Sequence, residues 1–282
     1  MADELTAIRA RVHGVQQLDT VIGAMRGIAS AHAQQSRTLL PGFRTYAEVV
    51  AQAIASALRL RNAVDVVPTT AVRRSRVVFC AEQGFVGPFV ERILDEVAER
   101  PSAEHLLIGS RGVALARTRK MPFAWQAPMA TQVHGVGALC IRIAAALYEV
   151  IASRRISAVE VAYPLWASGE GMRVVCQSLL PLDEQRFRAL PVAMPPLSTL
   201  PTEILLAGLA EEYVYASLCE AAMHAFVAEN EARATAMVRA RSKLQDILVE
   251  LSLSEHRVRQ AAITAELIEL VGGGLTETGP SV

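Results

Sequence analysis

The two ends of the chain carry apolar residues at helical spacing, and neither pattern fits a helix that lies on a globular core. From Leu5 to Ala29 the apolar positions recur every three or four residues, which places one narrow stripe on one helix face. Such a stripe is typical of a coiled-coil seam. Residues 202–271 contain no proline and one glycine, Gly208, which predicts a helix of ~70 residues and ~105 Å. The two ends therefore favour an antiparallel helix pair.

Local breakers suggest where these helices end. The first helical segment covers residues 1–60, and Pro41-Gly42 predicts that it is kinked or interrupted before it resumes over residues 46–60. The second covers residues 202–275, because three glycines at 272–274 are a stop signal. Three further glycines weaken the first helix, and we interpret them as points of close backbone approach: Gly14, Gly23 and Gly27.

Residues 73–196 have a different pattern, in which short apolar runs alternate with helical segments. The runs at 76–81, 105–108, 158–163 and 172–180 predict strands, and residues 89–99, 113–120 and 135–153 predict helices. This alternation is typical of βαβ units in a mainly parallel sheet, with the last two strands antiparallel. The sequence thus predicts an α/β domain inserted between two helical arms.

Composition and charge exclude several classes of protein. Equal numbers of basic and acidic residues, 28 of each, argue against non-specific binding to nucleic acid or anionic lipid. Four single cysteines form no metal or disulfide framework, which favours a reducing compartment. We expect a soluble protein, because the apolar run at 136–148 is broken by Arg142 and the N-terminus lacks a signal-peptide pattern. The six histidines show no metal-ligand spacing, and no nucleophile elbow is present.

The Gly-rich turn at residues 82–87 has two interpretations. A turn of this kind between a strand and a helix can bind phosphate, which would fit a small-molecule or nucleotide-binding enzyme that is oligomerised by its helical arms. The turn matches neither the dinucleotide nor the P-loop motif, however, and Glu82 would repel phosphate while Pro88 lacks an amide donor. A sharp strand-to-helix connection is the better interpretation.

The ends of the chain carry motifs that resemble the gamma subunit of F-type ATP synthases. Residues 229–237 (ENEARATAM) and 258–271 (VRQAAITAELIELV) are similar to the family's A-R-M-x-A-M and R-Q-A-x-I-T-x-E-L-x-E-I-V patterns. Residues 24–29 (AMRGIA) resemble its A-M-x-M-V-A pattern, and residues 82–87 and 108–112 resemble two turns of its α/β domain. Ala234, Arg26 and Pro41 depart from the family pattern. The divergent N-terminus and the 82–87 turn are similar to a second, alternative F-type ATPase of some prokaryotes.

The resemblance implies a fold and a function. The fold would be an antiparallel two-helix coiled coil from the N- and C-terminal segments, with an inserted Rossmann-like α/β domain. The chain would be a non-catalytic rotor subunit without a cofactor, peripheral at the cytoplasmic face of the membrane. Its partners would be the alpha and beta subunits, the epsilon subunit and the membrane c-ring. A coiled-coil adaptor unrelated to ATPases is the other alternative.

The resemblance also implies which residues contact the catalytic subunits. Each could form hydrogen bonds of about 1–3 kcal/mol with the catalytic ring. The alternative is that the arginines are solvated or paired surface charges and that Met25 is an ordinary packing residue. The implied contact residues are Met25, Arg26, Arg233, Met237, Arg259, Gln260, Thr264 and Glu266.

Overall fold

The computed structural model describes residues 2–60, 73–100, 103–167, 169–192 and 197–274. The chain divides into two compact units, Met1–Ile28 with Thr235–Val282 and Ala29–Ala234. The elements of the described ranges, in chain order, are α1 (Ala2–Leu58), β1 (Arg74–Phe79), α2 (Phe89–Ala98), β2 (Glu104–Ile108), α3 (Ser110–Thr118), β3 (Trp125–Ala127), a 3-10 turn (Val133–Gly135), α4 (Val136–Arg154), β4 (Ala158–Ala167), β5 (Gly171–Leu180), α5 (Glu184–Arg188) and α6 (Thr202–Gly274).

The first unit consists of the start of α1 and the C-terminal part of α6, which run antiparallel. Arg9 pairs with Glu255 at 3.0 Å and Asp19 pairs with Arg241 at 3.0 Å, so the partner number falls as the α1 number rises. Leu18 belongs to the predicted seam but is 54% exposed. The predicted apolar stripe of α6 is half-buried at each position: Leu244, Ile247, Leu248, Leu251, Val258 and Ala262.

One prediction about α1 is wrong, and another is wrong in one of its two forms, because α1 is not interrupted at Pro41 whereas a kink there stays a prediction. Pro41 does not interrupt the helix, which continues from Ala2 to Leu58 with the proline inside it. Leu40 and Phe43 on either side of Pro41 pack against the core, so tertiary contacts offset the lost backbone hydrogen bond. The glycines at 14, 23 and 27 do not mark close backbone approach, because a Cβ built at each would meet nothing within 4 Å.

The second unit is built on a five-stranded sheet in the order β3-β2-β1-β4-β5. β1 pairs in parallel with β2 and β4, and β2 pairs in parallel with β3. β4 and β5 are antiparallel, which confirms the prediction for the last two strands. The sequence pattern does not predict β3, which has three residues, or the five-residue α5, because elements this short carry no periodicity.

Both faces of the sheet are covered by helices. Val77 and Phe79 point to one side and pack in a cluster with residues of α4 and α6. Val78 and Cys80 point to the other side and pack with residues of α2 and α3. This alternation along β1 is the two-residue period of a strand, so the unit has three layers. A third cluster joins the C-terminal part of α1 to α5 and the start of α6.

Helix α4 and the preceding turn, residues 133–154, are long and apolar enough to cross a membrane by length and composition. The interruption of the apolar run by Arg142 predicts no such span, and this prediction is wrong by the criterion of length and composition. Seven residues of α4 are buried, and they form one side of the sheet's core. A core helix therefore accounts for this apolar segment. Its exposed face carries Arg142 and Glu149.

Candidate functional site

The parallel strands β1, β2 and β3 end at the same edge of the sheet, and the loops that follow them lie together. We call these the edge loops: residues 80–88 after β1, residues 109–110 after β2 and residues 128–132 after β3. Ligands of open α/β sheets bind at this edge, where backbone amides and helix N-termini attract anions. The edge loops therefore form the candidate site of this unit.

Glu82 connects all three edge loops through its carboxylate. Its oxygens accept hydrogen bonds from the Ser110 amide (2.9 Å), the Ser110 hydroxyl (2.6 Å) and the Met129 amide (2.8 Å). Ser110 is the first residue of α3, so the carboxylate lies at the positive end of that helix. An acidic side chain of the protein thus occupies a position that favours an anion.

A second carboxylate, that of Glu229 on α6, binds the first edge loop. Its two oxygens accept hydrogen bonds from the amides of Glu82 and Gln83, each at 3.0 Å. Arg233, one turn further along α6, donates from Nη2 to the same carboxylate and from Nε to the carbonyl of Gly84 at 3.3 Å. We call this group the Glu229 clamp: Glu229, Arg233 and the backbone of residues 82–84.

The clamp is buried. The side chains of Glu229 and Arg233 are 7% and 8% exposed, and the remaining guanidinium nitrogen donates to Asn230 at 3.1 Å. Charges this far from water are costly unless they are paired and hydrogen-bonded, and here both conditions are met. The clamp also bears on the enzyme alternative. Amides that would face a phosphate in a dinucleotide fold already bind the protein's own carboxylates.

Arg233 therefore has a place in the structure that the sequence did not indicate. It was expected to face a partner subunit or to be a surface charge, yet its guanidinium bonds within its own chain. Its predicted contact with a partner stays a prediction. Glu82 and Glu229 were missed as site residues. Glu82 directly follows a buried strand and Glu229 precedes Arg233 by four residues, which are the signals that could have found them.

The other predicted contact residues lie in the paired-helix unit. Met25 is half-buried and Met237 is buried, whereas Arg26 is exposed. The remaining four are exposed and follow one another along α6. Arg259 pairs with Glu255 at 2.9 Å, and the hydroxyl of Thr264 donates to the carbonyl of Gln260 at 2.9 Å. The exposed members of the set are Arg26, Arg259, Gln260, Thr264 and Glu266.

A polar row crosses the opposite half of the sheet and was also missed. Arg76 on β1 is 1% exposed and donates to the carboxylate of Glu160 on β4 at 2.8 and 3.0 Å. Burial raises the pKa of Glu160, but the hydrogen bonds and charges of Arg76 and Arg74 outweigh it, so the pKa is lowered. On β2, His105 stands opposite Arg76. This row lies inside the sheet and is structural.

Comparison with known proteins places this fold and these motifs in one family. The family model described as ATP synthase matches residues 4–275. The "ATP synthase gamma chain" of a Cyanothece species is 26% identical, with 95% of this chain and 98% of the relative covered. The protein of the same name from an Anaeromyxobacter species (strain K) is 28% identical, with 95% and 97% covered.

Solved structures agree at the level of the fold. A chain in the OSCP/F1/c-ring structure of the Euglena gracilis mitochondrial ATP synthase aligns with a TM-score of 0.67 and 12% identity, over 98% of this chain and 95% of that one. A chain in the central stalk/c-ring structure of the Tetrahymena thermophila enzyme aligns with a TM-score of 0.57 and 16% identity, over 78% and 99%. Paired terminal helices, with an α/β domain inserted between them in the sequence, thus match the fold of these central-stalk chains. The chain belongs to the ATP synthase family, and the relatives named above are gamma chains.

Proposed function

We propose that this chain is the rotor subunit of an F-type ATP synthase and does not itself catalyse ATP chemistry. It couples rotation of a membrane ion-translocating c-ring to ATP synthesis or hydrolysis in the alpha and beta subunits, with the epsilon subunit as a further partner. It acts at the cytoplasmic face of the membrane as a peripheral component of the complex. Its assignment to the alternative F-type ATPase of some prokaryotes stays a prediction.

The observation that carries this proposal is the antiparallel pairing of α1 and α6 in the first unit. Two helices joined along a seam resist bending better than one, because bending breaks contacts between them. Ion pairs at two levels, Arg9–Glu255 and Asp19–Arg241, show the register of the pair. A hydrogen bond from Arg9 and the charges of Arg9 and Arg259 lower the pKa of Glu255, so its carboxylate stays charged.

The last part of α6 lies beyond the described part of α1. By the register of the Arg9–Glu255 pair, Ala2 at the start of α1 lies opposite about residue 262. Apolar side chains beyond that point are exposed: Ile263 (52%), Leu267 (57%) and Ile268 (68%). Exposed apolar residues that are grouped in this way are typical of an interaction site. We assign them, with Thr264 and Glu266, to contacts with the catalytic ring.

Truncation of the chain after Leu251 tests the proposal. It removes the end of α6, including Glu255 and the predicted contacts from Arg259 to Glu266, and leaves Ala29–Ala234 intact. In the assembled complex we expect ATP-driven ion pumping to be lost, while tryptophan fluorescence shows a folded α/β unit. The control is truncation after Gly274, which keeps all of α6. Normal pumping by the shorter protein would contradict the coupling role.

The nucleotide-binding alternative has its own measurement. Calorimetric titration of the full chain with ATP, GTP and NAD should show no binding at Kd below about 100 μM, which corresponds to about 5.5 kcal/mol. The geometry that supports this expectation is the Glu229 clamp, whose carboxylate holds the amides of the first edge loop. Binding below that value would favour the enzyme alternative.

A further inference from the structure

We propose that Glu229 and Arg233 are positioning residues that lock the part of α6 within the second unit to the edge of the sheet, so that this part of the helix and the α/β layers rotate as one body. This inference rests on the proposed rotor function, because it concerns how rotation is transmitted within one subunit. All of its residues lie in the second unit, Ala29–Ala234.

The α6 residues that pack in the apolar cluster next to the clamp are small. Ala228 and Ala232, on either side of Glu229, pack in the cluster formed with β1 and α2. Alanine allows close approach of the helix, and apolar burial as such is non-directional. Hydrogen bonds depend on distance and angle, so they resist displacement of the helix. The clamp supplies these bonds at two carboxylate oxygens and one guanidinium nitrogen.

The hydrogen bonds continue from α6 across the sheet edge. Glu229 holds the amides of Glu82 and Gln83, and the side chain of Glu82 holds Ser110 and Met129. A force on α6 therefore reaches the loops that follow β1, β2 and β3 through two carboxylates. A buried ion pair is weak evidence for added stability, and fixing one arrangement is the better-attested use of such a pair. We infer that fixing this arrangement is its use here.

The arrangement differs from an ordinary helical ion pair in a testable way. Glu229 and Arg233 are spaced i,i+4, and an isolated pair of this kind would tolerate exchange of its two residues. The clamp requires a carboxylate at 229, because two backbone N–H groups donate to it. A cation at that position would face donors and leave both amides unbonded.

The experiment uses the assembled ATP synthase and compares three variants with wild type. They are Glu229→Gln, an exchange variant that carries both Glu229→Arg and Arg233→Glu, and Glu212→Gln. Glu212 is an exposed carboxylate on α6 and provides the matched control. Two quantities are measured, namely the ATP hydrolysis rate without an ion gradient and the number of ions pumped per ATP against a gradient. We expect Glu229→Gln to lower ions pumped per ATP by about threefold while gradient-free hydrolysis stays within about twofold. The exchange variant should also pump fewer ions per ATP than wild type, and the Glu212→Gln control should pump as many as wild type.

Each outcome decides one question. Wild-type pumping per ATP in Glu229→Gln, or recovery in the exchange variant, would overturn the clamp while leaving the rotor function intact. Absence of ATP-driven pumping in the wild-type complex would instead refute the rotor function.

If Glu229→Gln does not assemble, two other measurements apply. Arg233→Lys retains the charge but loses the bond to Gly84, and it should give a smaller loss of the same kind. Hydrogen exchange of the Glu82 and Gln83 amides in the wild-type complex should be slow, and fast exchange at both would overturn the proposal.

Discussion

Replacing His105 with leucine should remove the contribution of one buried imidazole to the acid sensitivity of the α/β unit. His105 lies on β2 and is 7% exposed. Its Nδ1 has no hydrogen-bond partner among the residues that the structure describes. Burial and the positive charge of Arg76 lower the pKa of His105 from 6.5 to about 4, and Glu104 opposes this shift only in part. The imidazole is therefore neutral in the folded protein at any pH well above 4.

The sign and size of the effect follow from this shift. Because the folded-state pKa lies below the unfolded-state value, the unfolded chain binds more protons between about pH 4 and 6.5. Stability that is fully present above about pH 6.5 is therefore lost as the pH falls toward 4. Between about pH 7.5 and pH 5, this one group costs about 2 kcal/mol of unfolding free energy. The leucine variant should lack this contribution.

Urea unfolding of the full chain provides the assay. Both tryptophans lie in the sheet, Trp125 on β3 and Trp166 on β4, so their fluorescence reports on the α/β unit. We expect the stability difference between wild type and His105→Leu to change by about 2 kcal/mol, in favour of the variant, from pH 7.5 to pH 5. Exposed His134 provides the matched control for loss of one imidazole. The reasoning is refuted if the variant and wild type lose stability in parallel.

Two matched pairs of substitutions test packing and charge burial by the same assay. Gly112→Ala places a Cβ 2.3 Å from a core side chain and should destabilise by about 1–3 kcal/mol or more, whereas Gly208→Ala, in open space on α6, should stabilise by up to about 1 kcal/mol. Effects of equal sign would contradict this. Glu160→Gln leaves the buried guanidinium of Arg76 without its counter-ion and should cost about 3–5 kcal/mol. Glu96→Gln removes an exposed pair and should cost less than about 1 kcal/mol, and similar losses in the two variants would contradict the burial argument.

The helices and strands that the sequence predicted best are those with a long local pattern. The three-to-four-residue spacing along α6 and the lack of proline predicted a helix over 202–271, and the helix spans Thr202–Gly274. Alternating apolar runs and helical segments predicted the parallel sheet with an antiparallel last pair. These features depend on neighbours within a few residues along the chain, so they can be read from the sequence directly.

The site was harder to predict because its contacts span the chain. Glu229 and Glu82 are 147 residues apart, and no local spacing indicates that a carboxylate on α6 meets the amides after β1. For the same reason Arg233 was expected at a surface, although the structure gives its guanidinium three partners within the chain. The sequence motif placed Arg233 on the right helix, α6, but did not indicate which way its side chain points.

The sequence alone determined the two helical arms, the inserted α/β domain and the family, because periodicity, breakers and short motifs are local properties. The tertiary structure decided which residues pair. In the structure α1 continues through Pro41, and Leu18 is exposed. The carboxylates of Glu82 and Glu229 bind the amides at the edge of the sheet that favours anions. These outcomes depend on the packing of distant segments, where core contacts outweigh local preference and a buried charge must find its partner.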